Sequence, residues 1–497
     1  MHRKQLLATL AAGLIAGTAL AATPYATAET PLDRFYHQRL DWRPCDNPRL
    51  DQAGARCADV TVPLNYAEPQ GRTITVAISR IAADPAHRRG VMLSNPGGPG
   101  GPGLDFTVDI GAALTPDVRA SYDLIGMDPR GVGRSTPVNC HWPPGLGLES
   151  AGAGLAGYAE SVATRADLAL RCTSVGLDRL RQNTTRNTAR DMDVIRAAIG
   201  ADRVSYYGTS YGTYLGSVFT QLFPERVDRI VLDSSVDPAR YGPVEMLRDM
   251  GPANEAALDL WADWTAGHND EYRLGDTRQQ VRHAVEELIR RAGEQPVHLG
   301  AYTIDAHTMP IIPYIALSDP RNYAQLASNI RQLTDATDGK PVEPAPDLKD
   351  LLSMVFDPQP QDNSAMTAIM CGDAAAPRDP SWYWRNIEQS RATQPVFGPF
   401  VNNITACAFW APPVEPLTVV GNSIPALIVQ STGDTHTTYE NALGMHRALT
   451  ASRMVTLQDV AVHQIFANFP NRCVYDAVNT YFRDGALPTT DLTCRAD

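Results

Sequence analysis

The stretch that decides the fold is VSYYGTSYGT, residues 204–213. Its first four residues are an apolar run that ends at Tyr207, and a G-x-S-x-G motif centred on Ser210 follows. A helical pattern then continues from Thr213 to Phe223. By chance, roughly one serine in two hundred has such glycine neighbours, and a glycine-rich turn without catalysis is the alternative. The strand-turn-helix context favours a nucleophile elbow, whose flanking glycines leave room for a strained turn.

The residues around this motif alternate between strand and helix patterns. A hairpin is predicted from Cys57–Tyr66 and Thr73–Ile81, and a helix from Asp191–Ile199. Short apolar runs, typical of strands buried on both faces, lie at Gly90–Ser94, Tyr122–Met127, Val204–Tyr207, Arg229–Leu232, Ala426–Gln430 and Met454–Leu457. This alternation predicts an α/β class protein with the α/β-hydrolase fold.

The alternation disappears between residues 238 and 412. Amphipathic stretches replace it, at Asn254–Trp264, Thr277–Ala292, Asn322–Ala336 and Leu348–Phe356. We therefore predict a mostly helical cap domain at 238–412, inserted into an α/β-hydrolase core formed by 29–237 and 413–497.

The partners of the nucleophile follow from chain order, because the acid and then the histidine come after the serine in this fold. Asp434 follows the apolar run Ala426–Gln430. Of the three histidines beyond it, His436 shares the acid's loop and His446 lies in a helical pattern, where packing is the simpler role. Only His463 follows a further strand, so we predict His463 as the general base and Asp434 as its orienting acid. The alternative for His463 is an ordinary loop histidine.

An oxyanion hole is expected from two backbone amides. Tyr211, directly after Ser210, should give one, and the loop Asn95–Gly103 should give the other. Its glycines allow close approach to a substrate oxygen and its prolines stiffen it. The loop has no lysine followed by serine or threonine, so it is not a phosphate loop.

The N-terminus indicates export. A basic start, Met1–Lys4, precedes an apolar run from Leu6 to Ala22 and a small-x-small site at Ala26–Ala28. We predict a signal peptide at 1–28 and a secreted mature protein that stays off the membrane. A transmembrane anchor is the alternative, but the run is short and interrupted.

Composition limits the partners and cofactors. The 497-residue chain carries a net charge of −12 and no basic stripe, which excludes nucleic acid as an expected partner. No C-x-x-C or H-x-x-x-H spacing occurs, so neither a metal nor a cofactor is expected. The eight cysteines allow about 105 pairings. Neighbour pairing favours Cys45 with Cys57, Cys140 with Cys172, Cys371 with Cys407, and Cys473 with Cys494, against the alternative of free thiols.

Five motifs together resemble the secreted tripeptidyl aminopeptidases of Streptomyces, which belong to the prolyl-aminopeptidase-like serine peptidases. They are NPGGPG at 95–100, DPRGVGRS at 128–135, GTSYGT at 208–213, VLD at 231–233 and AIMC at 368–371. The resemblance spans roughly Trp42 to Cys494 and implies the triad Ser210, Asp434 and His463. It also implies a helical cap with a Cys371–Cys407 bridge.

Two departures from that family's pattern bear on substrate preference. His463 stands between Val462 and Gln464 where glycines are common, and Thr435-His436 replaces a usual Pro-Val. Both alter the rim of the pocket.

The expected reaction is hydrolysis through an acyl-enzyme, with the oxyanion held by the amides of Gly98 and Tyr211. The favoured substrate is a peptide with a free N-terminus, cut to release a short peptide such as a tripeptide, by a monomeric enzyme. Glu245, Asp249 and Asp373 are the predicted acids for the substrate amine. A carboxylesterase or amidase is the runner-up function, and a catalytically dead binding protein is the third.

Overall fold

The computed structural model describes residues 31–145, 147–358 and 363–496. The predicted signal peptide, 1–28, lies outside the described residues. No helix in these three ranges is both long enough and apolar enough to cross a membrane.

A nine-stranded mixed sheet forms the centre of the protein, with the strand order β1-β2-β4-β3-β5-β6-β9-β10-β11. The pairs β1–β2 and β2–β4 are antiparallel, and all other neighbours are parallel. A separate small hairpin joins β7 to β8. The strands are β1 Arg56–Pro63, β2 Thr73–Ile81, β3 Gly90–Asn95, β4 Tyr122–Met127, β5 Val204–Ser210, β6 Val227–Ser235, β7 Val297–Leu299, β8 Tyr302–Ile304, β9 Ala426–Ser431, β10 Arg453–Gln458 and β11 Leu492–Arg495.

The sheet is buried on both faces, and adjacent residues of one strand enter different cores. Tyr206 and Ile230 belong to the core that also contains residues of α7 and α8, while Tyr207 and Val231 belong to the core against α19. The helices are α1 Asp33–Tyr36, α2 Pro48–Gln52, α3 Phe106–Ala113, α4 Pro116–Ser121, α5 Gly154–Ser174, α6 Leu177–Leu180, α7 Thr185–Ala198, α8 Tyr211–Leu222, α9 Glu245–Ala266, α10 Asn269–Tyr272, α11 Arg278–Glu294, α12 Ile311–Ala316, α13 Tyr323–Thr337, α14 Pro346–Phe356, α15 Ser364–Asp373, α16 Pro380–Ser390, α17 Gly398–Val401, α18 Tyr439–Ala448 and α19 Arg472–Asp484.

The predicted strands are present, with ends that differ by a few residues. The largest difference is in β6, which begins at Val227 rather than Arg229 and ends at Ser235 rather than Leu232. Strand β1 stops at Pro63 rather than Tyr66 because the chain then turns, with the Glu68 amide donating to Asn65 O at 3.0 Å. Strand β11 was not predicted. Its four residues hold a single buried side chain, Cys494, and the strand is positioned by β10 and by a disulfide.

The helical region, defined as 238–412, contributes no described strand to the large sheet. The 21-residue helix α5, which was not predicted, packs onto this region from outside it. The Tyr158 hydroxyl donates to Pro380 O at 2.6 Å, and the Tyr158 ring lies 5.5 Å from that of Trp384. The helical layer above the sheet is therefore built from two separate parts of the chain.

The structure contains the four disulfides that neighbour pairing predicts: Cys45–Cys57, Cys140–Cys172, Cys371–Cys407 and Cys473–Cys494. The described cysteines include no free thiol. The second bridge ties the segment before α5 to that helix, and the third closes a loop within the helical region.

Candidate active site

Ser210 occupies a sharp turn between β5 and α8. Its backbone angles, φ 56° and ψ −129°, lie in a region that costs a residue with a side chain about 1–3 kcal/mol. A Cβ atom at Gly208 would lie 2.4 Å from Gly212 O, and one at Gly212 would lie 2.6 Å from Asn95 O. Only glycine fits at positions 208 and 212, two residues before and two after Ser210, so the geometry is that of a nucleophile elbow.

Asp434 and His463 are directly hydrogen-bonded. The Nδ1 atom of His463 lies 2.9 Å from Oδ2 and 3.0 Å from Oδ1 of Asp434. Burial alone would raise the pKa of Asp434, but the neighbouring His463 and the hydrogen bonds to the carboxylate outweigh it and lower that pKa. The acid therefore stays charged, and a charged Asp434 fixes the tautomer that leaves His463 Nε2 free to take a proton.

The loop after β9 holds the Asp434 carboxylate. The backbone amides of His436 and Thr437 both donate to Oδ1 at 2.9 Å. The Thr437 hydroxyl donates to Oδ2 at 3.0 Å, and the Gln430 amide donates to the same oxygen at 3.3 Å. Neither Gln430 nor Thr437 was identified from the sequence, although Thr437 stands only three residues after the acid.

The loop after β10 positions His463. The backbone amide of His463 donates to Ser318 O at 2.9 Å, and the backbone amide of Gln464 donates to Ser234 Oγ at 2.8 Å. The Gln464 side chain reaches the loop Asn95–Gly103 after β3, donating to Pro96 O at 3.4 Å. Among the described residues no hydrogen bond joins Ser210 to His463, and such bonds often form only when substrate is bound.

The loop after β3 lies against the Ser210 turn. A Cβ atom at Gly97 would lie 2.9 Å from Ser210 Cβ and 3.2 Å from the Tyr211 amide nitrogen. The Gly98 amide has no hydrogen-bond partner in the described ranges, and the Tyr211 amide, at the start of α8, has no partner within its helix. Both predicted donors are thus left unpaired by the described residues, and their role as an oxyanion hole stays a prediction.

His436 lies beside His463, a contact that sequence order did not indicate. Its ring is 4.8 Å from that of His463 and meets the Tyr314 ring edge-on at 4.4 Å. Burial, assisted by the charge of His463, lowers the pKa of His436 to about 3, so this imidazole is neutral. Asp434, His436 and His463 form the only group in the described chain with metal-ligand spacing. Both Asp434 oxygens already accept hydrogen bonds from His463 and from the loop after β9. That no metal binds here stays a prediction.

The three acids predicted to bind the substrate amine lie in two places. Asp249 and Glu245 both pair with Arg240, through a 2.6 Å hydrogen bond to Asp249 and a 3.2 Å one to Glu245, in an open surface cavity of about 330 Å³. Asp373 is buried and accepts hydrogen bonds from the Thr185 amide at 2.7 Å and the Tyr241 hydroxyl at 2.9 Å. All three carboxylates therefore have partners within the protein.

The sheet order, the elbow and the Asp434–His463 pair define a serine hydrolase of the α/β-hydrolase fold. A family model described as "TAP-like protein" matches residues 394–494. The chain is 34% identical to the tripeptidyl aminopeptidase of Streptomyces coelicolor over 92% of its own length and 86% of the relative's. It therefore belongs to the tripeptidyl aminopeptidase family of α/β-hydrolase serine peptidases.

Two further relatives carry different names. The chain is 31% identical to "Carboxylesterase B" of Mycobacterium tuberculosis, over 97% of this chain and 96% of the relative. It is 27% identical to "Serine protease Hip1" of the same organism, over 92% and 91%. The relatives thus include both peptidases and an esterase.

Proposed function

We propose that the protein is a secreted serine exopeptidase that releases tripeptides from the free N-terminus of peptides. The observation that carries the proposal is the Asp434–His463 pair, at 2.9 Å, on the edge of the sheet where Ser210 forms a glycine-flanked elbow. The similarity to a tripeptidyl aminopeptidase over 92% of the chain supports the same substrate class. The four disulfides fit an oxidising compartment, which supports export.

In the proposed reaction Ser210 Oγ attacks the carbonyl carbon of the third residue while His463 Nε2 takes the hydroxyl proton. The developing oxyanion is held by the amides of Gly98 and Tyr211. His463 then protonates the leaving amine, and the bond to that amine breaks to give an acyl-enzyme. Water, deprotonated by His463, releases the tripeptide and restores Ser210. Asp434 keeps its charge throughout and stabilises the imidazolium.

The helical region fits the role of a cap that selects the substrate, because it packs on the loop that carries the base. The backbone of Ser318, directly after α12, accepts the His463 amide, and Tyr314 of α12 lies against His436. We propose that 238–412 and α5 together form the substrate-binding layer of a monomeric enzyme.

The runner-up function is a carboxylesterase or amidase, which the 31% identity to a carboxylesterase favours. The experiment that separates the two compares a tripeptide p-nitroanilide that has a free amine with its N-acetyl derivative. A peptidase that holds the ammonium loses roughly tenfold to several hundredfold in kcat/KM on acetylation. Equal values for the two substrates would support the esterase or amidase instead.

Two companion measurements complete this test. A panel of aminoacyl, dipeptidyl and tripeptidyl p-nitroanilides gives the number of residues released, and the tripeptide should be hydrolysed fastest. Labelling by a fluorophosphonate, absent in Ser210→Ala, separates either enzyme from a dead hydrolase. An unlabelled wild-type protein would reject both catalytic functions.

A further inference from the structure

Asp233 is a buried carboxylate that no step of the proposed reaction uses. It closes the VLD motif at 231–233, near the end of β6, and it is fully buried. Among the described residues no arginine or lysine pairs with it. A carboxylate removed from water without a cation is costly unless hydrogen bonds compensate it, so the partners of Asp233 indicate its role.

Four donors converge on the Asp233 carboxylate. The backbone amide of Phe466 donates to Oδ2 at 2.7 Å, and that of Ile465 lies 3.1 Å from both oxygens. The Tyr207 hydroxyl donates to Oδ2 at 2.8 Å, and the Ser234 hydroxyl donates to Oδ1 at 3.3 Å. Because all four partners donate, the arrangement favours the charged form of the carboxylate.

These donors connect Asp233 to both sides of the active site. The two amides belong to residues two and three positions after His463, and Tyr207 lies three positions before Ser210 on β5. Asp233 therefore joins the strand that carries the nucleophile to the loop that carries the base. Such a link matters because no hydrogen bond between Ser210 and His463 fixes their separation among the described residues.

Strand β6 is irregular at the point where this contact forms. Asp233 pairs with Thr209 of β5, and Ser235 pairs with Ser210, so Ser234 is an extra residue in the strand. Adjacent side chains of a regular strand point to opposite faces. Here the side chains at both 233 and 234 bond the segment after the base, as an irregularity that redirects a side chain beside an active site allows.

Two residues with side chains adopt left-handed backbone angles where the strand meets the loop. Ser234 has a φ of 60° and Gln464 a φ of 66°, and the Gln464 amide donates to Ser234 Oγ at 2.8 Å. Such angles are uncommon outside glycine, and they persist where surrounding contacts hold them. The segment 464–466 is thus held by three consecutive amides, one on Ser234 and two on Asp233.

The charges of Asp233 and His463 interact. Burial raises the pKa of Asp233, whereas the hydrogen bonds to its carboxylate and the charge of His463 oppose that shift. A charged Asp233 in turn favours the imidazolium form of His463. The other titratable groups around that ring in the described chain are Asp434 and His436, on the loop after β9, and Tyr314 of α12, which contacts His436.

We propose that Asp233 is a positioning residue for the base: through residues 464–466 its carboxylate sets the place of His463 relative to Ser210, and its charge stabilises the imidazolium that forms in the reaction. A displacement of about 1 Å at such a group costs roughly a hundredfold in rate. The inference rests on the proposed role of His463 as the base, and it adds a residue that does not touch the substrate.

The test is Asp233→Asn, which keeps the shape of the side chain and removes its charge. We expect kcat on a tripeptide p-nitroanilide to fall roughly tenfold to a hundredfold, with KM changed by less than about twofold, because the base is displaced while substrate contacts remain. The acidic limb of the profile of kcat/KM against pH should move to lower pH, because the imidazolium loses a neighbouring negative charge.

Asp228→Asn is the matched control. It removes a carboxylate from the other end of the same strand, where Asp228 accepts a 2.9 Å hydrogen bond from Ser205 Oγ and a 2.6 Å one from Arg89. This variant should keep the wild-type kcat and the wild-type pH profile. The thermal midpoint of every variant is measured alongside, so that only folded proteins are compared.

Tyr207→Phe is a second variant that keeps the charge of Asp233 and removes one 2.8 Å hydrogen bond to it. It should lower kcat by roughly threefold to tenfold and leave the acidic limb in place. If Asp233→Asn does not fold, wild-type kcat in folded Tyr207→Phe overturns the proposal.

Two results with folded Asp233→Asn also overturn the proposal. One is wild-type kcat, and the other is a loss of kcat with an unmoved acidic limb, which a merely loosened loop would produce. Wild-type turnover in His463→Ala is a different failure, because it rejects the proposed reaction itself and with it the role of Asp233.

Discussion

Asp373, the last residue of α15, accepts a 2.7 Å hydrogen bond from the backbone amide of Thr185, the first residue of α7. The contact joins the helical region to a helix of the core. A carboxylate at this position also interacts favourably with the positive end of the α7 dipole. The Thr185 hydroxyl in turn bonds the Tyr211 hydroxyl at 2.6 Å, which connects the network to the residue after the nucleophile.

This contact predicts a pH dependence of stability. Burial is the largest influence on Asp373 and raises its pKa to about 7, although the hydrogen bonds from Thr185 and Tyr241 oppose the shift. Since an unfolded aspartate has a pKa of about 3.9, the folded state holds more protons between about pH 4 and 7. The contribution of Asp373 to the free energy of unfolding therefore falls as pH rises through that interval, by at most roughly 1.4 kcal/mol per pH unit.

Asp373→Asn removes this titration and keeps an oxygen for the Thr185 amide. Between pH 4.5 and 7, the variant's free energy of unfolding, measured in urea, should fall less than that of the wild type. Parallel curves for the two proteins would mean that Asp373 does not titrate in this range.

The triad predicts a large loss of turnover. Ser210→Ala and His463→Ala should each lower kcat by about 10⁴ to 10⁶ fold with little change in KM, because the three residues act as a unit. His446→Ala is the matched control, since His446 lies on α18 and bonds Ser452 Oγ at 2.7 Å, away from the elbow. Wild-type turnover in His463→Ala together with loss in His446→Ala or His436→Ala would show that the base is misassigned.

The sequence predicted the features that local sterics and burial determine. Strands β4 and β9 appear in the sequence as apolar runs because every residue in them is buried. Ser210 is identifiable because its turn leaves no room for a side chain at Gly208 or Gly212. The pair Asp434 and His463 could be found by order along the chain.

Features that depend on tertiary contacts were missed. Helix α5 packs on the helical region, where the Tyr158 hydroxyl donates to Pro380 O although the two residues are 222 positions apart along the chain. Glu245 and Asp249 lie close to the start of the helical region in the sequence, which makes them candidates for the substrate amine. Nothing in their spacing indicated that Arg240 would bind both.

The hydrogen bond from Thr437 to Asp434 is expected to contribute to catalysis. Thr437→Val keeps the volume of the side chain and removes the 3.0 Å hydrogen bond to Asp434 Oδ2. A hydrogen bond to a charged group contributes about 1.5–3 kcal/mol, so kcat/KM should fall roughly tenfold to a hundredfold. Thr435→Val is the control, because among the described residues the Thr435 hydroxyl has one hydrogen-bond partner, His436 Nδ1 at 3.4 Å, and none on Asp434. Equal losses in both variants would point to a general effect on the loop.

The cysteines predict a protein without reactive thiols. Each of the four bridges closes a short loop, with sequence separations of 12, 32, 36 and 21. Alkylation of the unreduced, denatured protein followed by mass spectrometry should label no cysteine. Stoichiometric labelling of two cysteines would show that one bridge is absent from the purified protein.

Substitution of Gly97 is expected to disturb the proposed oxyanion hole and to leave the triad intact. Its φ of 94° is one that alanine rarely adopts, and a Cβ atom there would lie 2.6 Å from Thr209 O and 2.9 Å from Ser210 Cβ. In Gly97→Ala the loop must move away from the elbow and carry the Gly98 amide with it. Loss of one oxyanion donor costs about 10² to 10³ fold in kcat.

Gly90→Ala is the matched control, because Gly90 begins β3, the strand that leads into this loop, and a Cβ atom there meets nothing within 4 Å. We expect Gly97→Ala to lower kcat on both p-nitroanilide and ester substrates, since both pass through an oxyanion, whereas Gly90→Ala should match the wild type. The thermal midpoint of each variant should be recorded alongside, so that unfolding is distinguished from a displaced donor. A folded Gly97→Ala enzyme with wild-type kcat would mean that this loop does not hold the oxyanion, and the second donor would then have to come from elsewhere around Ser210.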